Sequence, residues 1–176
     1  MINLIYIVRH GQTDWNVEGR IAGRTNISIN EEGRKEAKIV RDKLKDVNFD
    51  YVFVSPLNRT IETAKIITDK ELILDDRLIE RNNGALEGKL KREITVMPNY
   101  NDAKETMYGI EPLDALQKRV TNFFEEIFAK YPGKNILIVT HGGVSINIRS
   151  YFEGVPTDGD YSKYKLKNCE IITYEN

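Results

Sequence analysis

The two histidines of the chain, His10 and His141, each follow an apolar run of strand length, at residues 4–8 and 136–139. In an open parallel sheet, ligands bind in the crevice beyond the carboxyl ends of the strands. We therefore predict that both imidazoles face one crevice. A glycine next to each ring, such as Gly142, would let a substrate approach closely because it has no side chain.

Two arginines and a glutamate are placed in the same way. Arg9 follows the first run, Arg59 lies in the first turn of a helix after the run 51–54, and Glu80 follows the run 72–74. A guanidinium group matches the oxygens of a phosphate bidentately and keeps its charge at any relevant pH. The set predicts a pocket that recognises a phosphoryl dianion.

The same side chains have the chemistry that phosphoryl transfer needs. A neutral imidazole can be the nucleophile that divides the reaction into phosphorylation and dephosphorylation of the enzyme. A second imidazole, kept protonated by the bound phosphate, can stabilise charge on the equatorial oxygens. A carboxylic acid such as Glu80 can protonate the leaving alkoxide and later activate water.

Apolar runs of strand length alternate with helical patterns along the chain. This alternation is typical of a parallel sheet, which would bring the candidate residues at the ends of the strands together. The predicted strands are residues 4–8, 51–54, 72–74, 136–139 and 170–174, and the predicted helices are 30–44, a segment after 55–56, 112–130 and 143–153. We expect Ser55 to be the N-cap residue of its helix, with Pro56 at the first helical position. The last strand is predicted to pair with residues 161–166.

The strands are apolar throughout, which is typical of strands buried on both faces. We therefore predict an α/β three-layer sandwich, in which a mainly parallel central sheet carries helices on both faces. A length of 176 residues indicates a single domain over 1–176. Residues 84–110 are the least regular part and are predicted to form a small cap-like excursion.

Composition excludes several classes of protein. Because 26 Lys and Arg balance 27 Asp and Glu, the net charge of −1 argues against a nucleic-acid binder. No apolar run approaches the roughly 18–20 residues that span a bilayer, so no membrane association is expected. The start of the chain has no signal-peptide pattern, and a single cysteine, Cys169, agrees with a reducing compartment. We expect a cytoplasmic protein, and no pattern indicates its oligomeric state.

Longer motifs surround the candidate residues. They occupy residues 9–16, 19–20, 23–26, 30–37, 55–64, 78–81 and 140–143. In this order they resemble the histidine phosphatase (phosphoglycerate mutase-like) superfamily, and the match covers most of residues 4–153.

The resemblance implies a role for each matching position. His10 would be the phosphohistidine nucleophile and Glu80 the proton donor. The phosphoryl group would be bound by Arg9, Arg59, His141 and Asn16, and the leaving group bordered by Gln12, Gly23 and Thr25. The resemblance further implies a mixed α/β sandwich, no metal or other cofactor, and activity as a phosphatase or mutase.

The chain departs from the family pattern around the predicted leaving-group site. Residues 80–88 lack the usual aromatic before a glycine, Asn26 stands where an aspartate is common, and Glu111 precedes Pro112 rather than a serine. These differences affect the identity of the substrate more than the chemistry. True mutases of the family are longer, with larger lids, so we predict a metal-independent, histidine acid-type phosphatase that hydrolyses a small phosphorylated metabolite.

Three alternatives remain open at this point. The first is a mutase that returns the phosphoryl group to another hydroxyl. The second is a non-catalytic phosphate-binding module, which would need neither nucleophile nor acid. The third is a metallohydrolase using His10, His141 and Glu80, although two nearby arginines would repel a cation. The cationic run 89–92 is interpreted as a solvated surface, with recruitment of an anionic substrate as the alternative.

Overall fold

A computed structural model describes residues 3–176 as a five-stranded sheet between helices. The strands are β1 (Leu4–Arg9), β2 (Tyr51–Val54), β3 (Ile73–Leu74), β4 (Asn135–Thr140) and β5 (Ile171–Glu175). Their order across the sheet is β3-β2-β4-β1-β5, and only β5 runs antiparallel to its neighbour. The predicted mainly parallel sheet is confirmed.

Helices cover both faces of the sheet, as predicted. They are α1 (Asp14–Glu18), α2 (Glu31–Leu44), α3 (Asn58–Ile67), α4 (Leu113–Lys130) and α5 (Gly142–Glu153). Asn30 caps α2, where its side-chain oxygen accepts a hydrogen bond from the amide of Gly33 at 2.9 Å. No helix in residues 3–176 is long and apolar enough to cross a bilayer.

Strand β4 shows why the apolar runs are continuous. Ile136 and Ile138 pack into a core beneath α4 and α5, whereas Leu137 and Val139 pack into a second core beneath α2 and α3. Successive side chains of a strand point to opposite faces, so a strand between two helical layers needs apolar residues at every position. This two-sided packing holds β4 at the centre of the sheet.

Two predictions about local structure are wrong. Helix α3 begins at Asn58 with Leu57 at the N-cap position, so Ser55 does not cap it. Residues 161–166 do not pair with the last strand; Tyr161–Tyr164 form a 3-10 helix, and Asp160 caps it by accepting a hydrogen bond from the amide of Ser162. Strand β5 instead pairs with β1, whose other edge is already occupied by β4.

Residues 84–110, called the cap below, contain three 3-10 helices, Gly84–Leu86, Lys91–Glu93 and Met107–Gly109. A small apolar cluster of Ile21, Leu86 and Ile110 lies between the cap and the loop after α1. The irregular excursion therefore packs against the loop after α1, and its residues Lys91, Met97, Tyr100 and Asn101 line the cavity that contains His10.

Thr140, the last residue of β4, connects the sheet to the segment that leads to Glu80. Its buried Oγ1 donates a hydrogen bond to the carbonyl of Leu78 at 2.8 Å. We predict that Thr140→Val lowers the free energy of unfolding by about 1–3 kcal/mol, because the isosteric valine leaves a buried carbonyl without its donor. Urea titration measures the change. The exposed Thr173→Val is the control, and equal midpoints for the two variants would contradict the prediction.

Candidate active site

The pairing of β1 with β4 brings the two histidines together. Arg9 lies opposite Thr140 in the parallel register, so His10 and His141 leave neighbouring strands side by side. Their ring centroids are 5.3 Å apart. His10 is 4% exposed, and His141 is completely buried.

The hydrogen bond at Nδ1 of His10 determines its tautomer. This nitrogen lies 2.8 Å from the carbonyl oxygen of Gly11, and a carbonyl can only accept, so Nδ1 carries the hydrogen. Burial, followed by the charges of Arg59 and Arg9, holds the pKa of His10 well below its ordinary value. The ring is neutral at neutral pH, and the lone pair of Nε2 is available as a nucleophile.

His141 is held by Ser55, the residue predicted as a helix cap. The Oγ of Ser55 lies 2.7 Å from Nε2 of His141. Burial and the charge of Arg59 hold the pKa of His141 well below its ordinary value. Nδ1 is buried and has no hydrogen-bond partner within residues 3–176.

Backbone carbonyls, rather than carboxylates, hold the two arginines. Arg9 donates from Nη1 to the carbonyl of Leu166 at 2.7 Å. Arg59 donates to the carbonyls of Thr25 at 2.9 Å and Gly23 at 2.6 Å. Burial lowers the pKa of Arg59 to about 10, against the opposing effect of Glu80, so the guanidinium remains charged at neutral pH.

Each of the two arginines also has one buried N–H group that is not hydrogen-bonded. In the described part of the chain, the Nε atoms of Arg9 and Arg59 have no hydrogen-bond acceptor. A buried donor without an acceptor costs about 1–3 kcal/mol, so such groups are rare in folded proteins. Together with Nδ1 of His141, they make three buried atoms on residues near His10 whose hydrogen bonds an oxygen-rich anion can complete.

Glu80 is the one carboxylate among the residues that line the cavity next to His10. Its oxygens accept hydrogen bonds from the amides of Arg81 at 2.8 Å and Gly143 at 3.0 Å. A Cβ atom at residue 143 would collide with this carboxylate, so the glycine allows the close approach. The position of Glu80 is therefore set by main-chain groups on two segments.

Two other glutamates near the site have different partners. Glu87 accepts hydrogen bonds from the amide of Arg24 and the hydroxyl of Thr25, both at 2.9 Å. Glu111 forms an ion pair with Arg119 at 2.8 Å, and its pKa is lowered by Arg119 although burial opposes the shift. Neither carboxylate lines the cavity.

The cavity has a volume of about 400 Å³. Of the residues predicted for the site, those that line it are Arg9, His10, Asn16, Gly23, Arg59 and Glu80. His141, Gln12, Thr25 and Gly142 are outside the lining. The side chain of Gln12 accepts a hydrogen bond from Asn30, while Thr25 contributes its carbonyl to Arg59. Substrate contact by Gln12, Thr25 and Gly142 stays a prediction.

Asn168 is a contributor that sequence analysis missed. The Oδ1 of Asn16 accepts hydrogen bonds from the amide of Thr13 at 3.1 Å and from Nδ2 of Asn168 at 3.2 Å. Both bonds use the oxygen of the Asn16 amide, which leaves its nitrogen as the donor for the cavity. Asn168 also donates to the carbonyl of His10 at 3.0 Å, so one side chain positions two residues of the site.

Two lysines of the cavity were also missed as site residues. Lys91 comes from the cap, and Lys165 follows the 3-10 helix Tyr161–Tyr164. Lys91 belongs to the cationic run 89–92, which was interpreted as a solvated surface with recruitment of an anionic substrate as the alternative, whereas Lys165 belongs to no motif used in the sequence analysis. Within residues 3–176, no group of three or more His, Cys, Asp or Glu side chains is arranged to hold a metal ion.

Comparison with known proteins defines the class. The family model for the histidine phosphatase superfamily (branch 1) matches residues 5–175. The chain belongs to this superfamily and is a phosphatase or mutase enzyme.

Individual relatives agree with this assignment. Phosphoglycerate mutase-like protein 4 of Arabidopsis thaliana is 36% identical over 162 residues, which cover 85% of this chain and 69% of that protein. Phosphoserine phosphatase 1 of Hydrogenobacter thermophilus is 30% identical over 186 residues, covering 99% and 85% respectively. A mutant phosphoserine phosphatase from Entamoeba histolytica, solved in complex with phosphoserine, superposes with a TM-score of 0.83 at 28% identity, covering 97% and 89%.

The environment of the two imidazoles leads to a prediction about their protonation. We expect both rings to stay neutral in the ligand-free protein below the ordinary histidine pKa of about 6.5, with His10 as the Nδ1–H tautomer. Because the chain has only two histidines, ¹⁵N NMR of labelled imidazoles can follow each ring. The urea-unfolded chain is the control and should titrate near about 6.5.

The same shifts affect stability. The unfolded chain takes up protons on its histidines as the pH falls through about 6.5, whereas the folded protein does not. The free energy of unfolding should therefore decrease as the pH falls from about 6.5 towards the lowered pKa values. Ordinary titration of both rings in the folded protein would contradict this description of the site.

Proposed function

We propose that the protein is a metal-independent phosphomonoesterase of the histidine acid type, which hydrolyses a small phosphorylated metabolite through a phosphohistidine on His10. The observation that supports it best is the set of three buried atoms without partners in residues 3–176, on Arg9, Arg59 and His141, which lie near the neutral imidazole of His10. A phosphoryl group supplies acceptors for these atoms and an electrophile for Nε2. Phosphoserine, bound in one relative's structure, is among the candidate substrates.

In the first step, the phosphoryl group of the substrate binds between Arg9 and Arg59, where their Nε–H groups donate to its oxygens. The lone pair of Nε2 on His10 attacks phosphorus and forms an N–P bond. The P–O bond to the alcohol breaks, and its electron pair goes to the departing oxygen. Charge on the equatorial oxygens is stabilised by the guanidinium groups, which are already in place before the reaction.

His141 takes part through Nδ1. In the ligand-free protein, burial and the cationic neighbours favour its neutral form. A bound phosphoryl dianion offsets the positive charges of Arg9 and Arg59 and favours the imidazolium. The ring then donates from Nδ1 to a phosphoryl oxygen and from Nε2 to the Oγ of Ser55, which lies 2.7 Å away.

Glu80 acts as the general acid in the first step and as the general base in the second. In the first, its carboxyl group gives a proton to the departing oxygen, so the alcohol leaves as a neutral molecule. In the second, the resulting carboxylate accepts a proton from water as the water oxygen attacks phosphorus. The N–P bond breaks, and inorganic phosphate and the free imidazole are regenerated. Two backbone amides hold Glu80 in the cavity, which supports its assignment as the group that exchanges a proton with the leaving oxygen and with water.

Trapping the covalent intermediate tests the proposal. We expect wild-type protein quenched rapidly after mixing with substrate to carry acid-labile, base-stable phosphate on His10. His10→Ala should carry no label and release no phosphate while keeping its thermal unfolding transition. Release of phosphate and alcohol in equal amounts identifies hydrolysis, whereas a mutase would return the phosphoryl group to another hydroxyl. A label on serine, or full activity of His10→Ala, would refute the mechanism.

The role of Glu80 predicts a dependence on the leaving group. Glu80→Gln should lower kcat/KM by about 10²–10⁴-fold on alkyl phosphates, because a basic alkoxide needs a proton to leave. The loss on p-nitrophenyl phosphate should be much smaller, since the phenoxide departs unassisted. Glu87→Gln and Glu111→Gln are controls because neither residue lines the cavity. Equal losses on both substrate types would instead assign Glu80 to positioning or to the hydrolysis of the phosphohistidine.

A further inference from the structure

A loop without regular structure determines where the guanidinium group of Arg59 lies. Nη1 and Nη2 of Arg59 donate to the carbonyls of Thr25 and Gly23, and residues 21–30 form neither helix nor strand. Ordering such a loop has an entropic cost that contacts with other segments must offset. The contacts that fix residues 22–26, called the arginine loop below, therefore also fix Arg59.

The carboxylate of Glu87, a residue of the cap, makes these contacts. Its Oε1 accepts hydrogen bonds from the amides of Arg24 at 2.9 Å and Asn83 at 3.0 Å, and its Oε2 accepts one from the hydroxyl of Thr25 at 2.9 Å. Gly23 has a φ of +50°, and a Cβ atom there would collide with this carboxylate. The glycine thus lets Glu87 lie directly against the backbone of the arginine loop.

One planar peptide group connects Glu87 to Arg59. The N–H of Arg24 and the C=O of Gly23 belong to the same peptide unit, whose atoms are held in a plane by its partial double bond. Glu87 accepts a hydrogen bond from the N–H, and Arg59 donates one to the C=O at 2.6 Å. Because hydrogen bonds in a chain polarise one another, each of these two strengthens the other. A change at Glu87 is therefore transmitted to Arg59 through a rigid unit.

Main-chain hydrogen bonds hold Glu87 itself in place. Its amide donates to the carbonyl of Gly84 at 3.2 Å. The next residue, Gly88, donates to the carbonyl of Ile21 at 2.8 Å, and the amide of Ile21 donates to the carbonyl of Lys89 at 2.9 Å. The cap is thus joined to the chain just before the arginine loop, so the carboxylate extends from a fixed backbone.

We propose that Glu87 is a positioning residue for phosphoryl binding, because it holds the arginine loop in the conformation that directs Arg59 towards the phosphoryl group. Glu87 does not line the cavity, so it acts through Arg59 and not on the substrate. This inference rests on the proposed phosphatase function and assigns a residue of the cap to the binding of the phosphoryl group.

Removal of the carboxylate tests the inference. Glu87→Ala should lower kcat/KM about 10–10²-fold, as expected when a binding group is displaced by a distant substitution. The loss should be equal, within about threefold, on an alkyl phosphate and on p-nitrophenyl phosphate, because the phosphoryl group is common to both. The Kd of inorganic phosphate, measured by calorimetry below the unfolding transition of the variant, should rise by a similar factor.

Two further variants separate the hydrogen bonds from the charge of Glu87. Burial lowers the pKa of Arg59, and the carboxylate of Glu87 opposes this shift. Glu87→Gln removes the charge but keeps an acceptor for the amides and a partner for the Thr25 hydroxyl, so it should restore most of the phosphate affinity. Thr25→Val keeps the volume of the side chain but removes one hydrogen bond to Glu87, and it should weaken phosphate binding about three- to tenfold.

A double-mutant cycle shows whether Glu87 acts through Arg59. In the Arg59→Ala background, Glu87→Ala should cause less than about a threefold further loss of kcat/KM on p-nitrophenyl phosphate, because the group that it positions is absent. Glu62→Ala is the matched control. Glu62 lies on α3 with Arg59 and accepts a hydrogen bond from the amide of Ile29 at 3.2 Å, outside the arginine loop, so phosphate affinity should stay unchanged.

The outcomes distinguish this inference from the proposed function. Unchanged phosphate affinity in Glu87→Ala and Thr25→Val, or losses that add independently in the cycle, would leave Glu87 with a merely structural role and overturn the inference. A loss in Glu87→Gln as large as that in Glu87→Ala would assign the effect to charge and overturn it as well. In each case, the label on His10 would still support the phosphatase. Absence of that label would refute the proposed function, whereas the phosphate affinities would still decide the role of Glu87.

Discussion

The parallel register between β1 and β4 is the constraint on which the site depends. It sets Arg9 opposite Thr140, so the residues that follow emerge together at one edge of the sheet. The register is itself determined by packing, because β4 sends alternate apolar side chains into two separate cores. A slip of one residue would exchange these faces, so the cores and the catalytic geometry are secured by the same contacts.

The site concentrates polar groups that do not favour burial. Two imidazoles and two guanidinium groups lie together beneath the edge of the sheet, and burial lowers the pKa of each. Carbonyls of Leu166, Gly23 and Thr25 hold the arginines without neutralising them. The two guanidinium groups thus keep their full positive charge, and several buried N–H groups at the site have no acceptor. Side chains with complete pairing would make the folded protein more stable.

The sequence predicts correctly those features that depend on residues close together along the chain. Continuous apolar runs identified the strands, and residue types at their ends placed His10 and Glu80 at a common crevice. It failed where a residue's role depends on distant contacts. A serine followed by proline is typical of a helix start, yet Ser55 contacts His141, which follows the neighbouring strand and is far away in sequence. Asn168 and Lys165 lie in a polar segment without periodicity, and only the path of the chain back to β1 brings them to the site.

The carbonyl anchoring of Arg59 has a consequence for the end of the catalytic cycle. A carboxylate paired with a guanidinium would neutralise its charge. Arg59 is held by neutral carbonyls instead, so its full positive charge attracts any anion that occupies the pocket. Inorganic phosphate, the final product, presents the same oxygens as the substrate and fits the same donors. Its departure is therefore opposed by the interactions that bind the ester. We expect the rate of turnover to fall as free phosphate accumulates, which makes the enzyme responsive to the phosphate level of its surroundings.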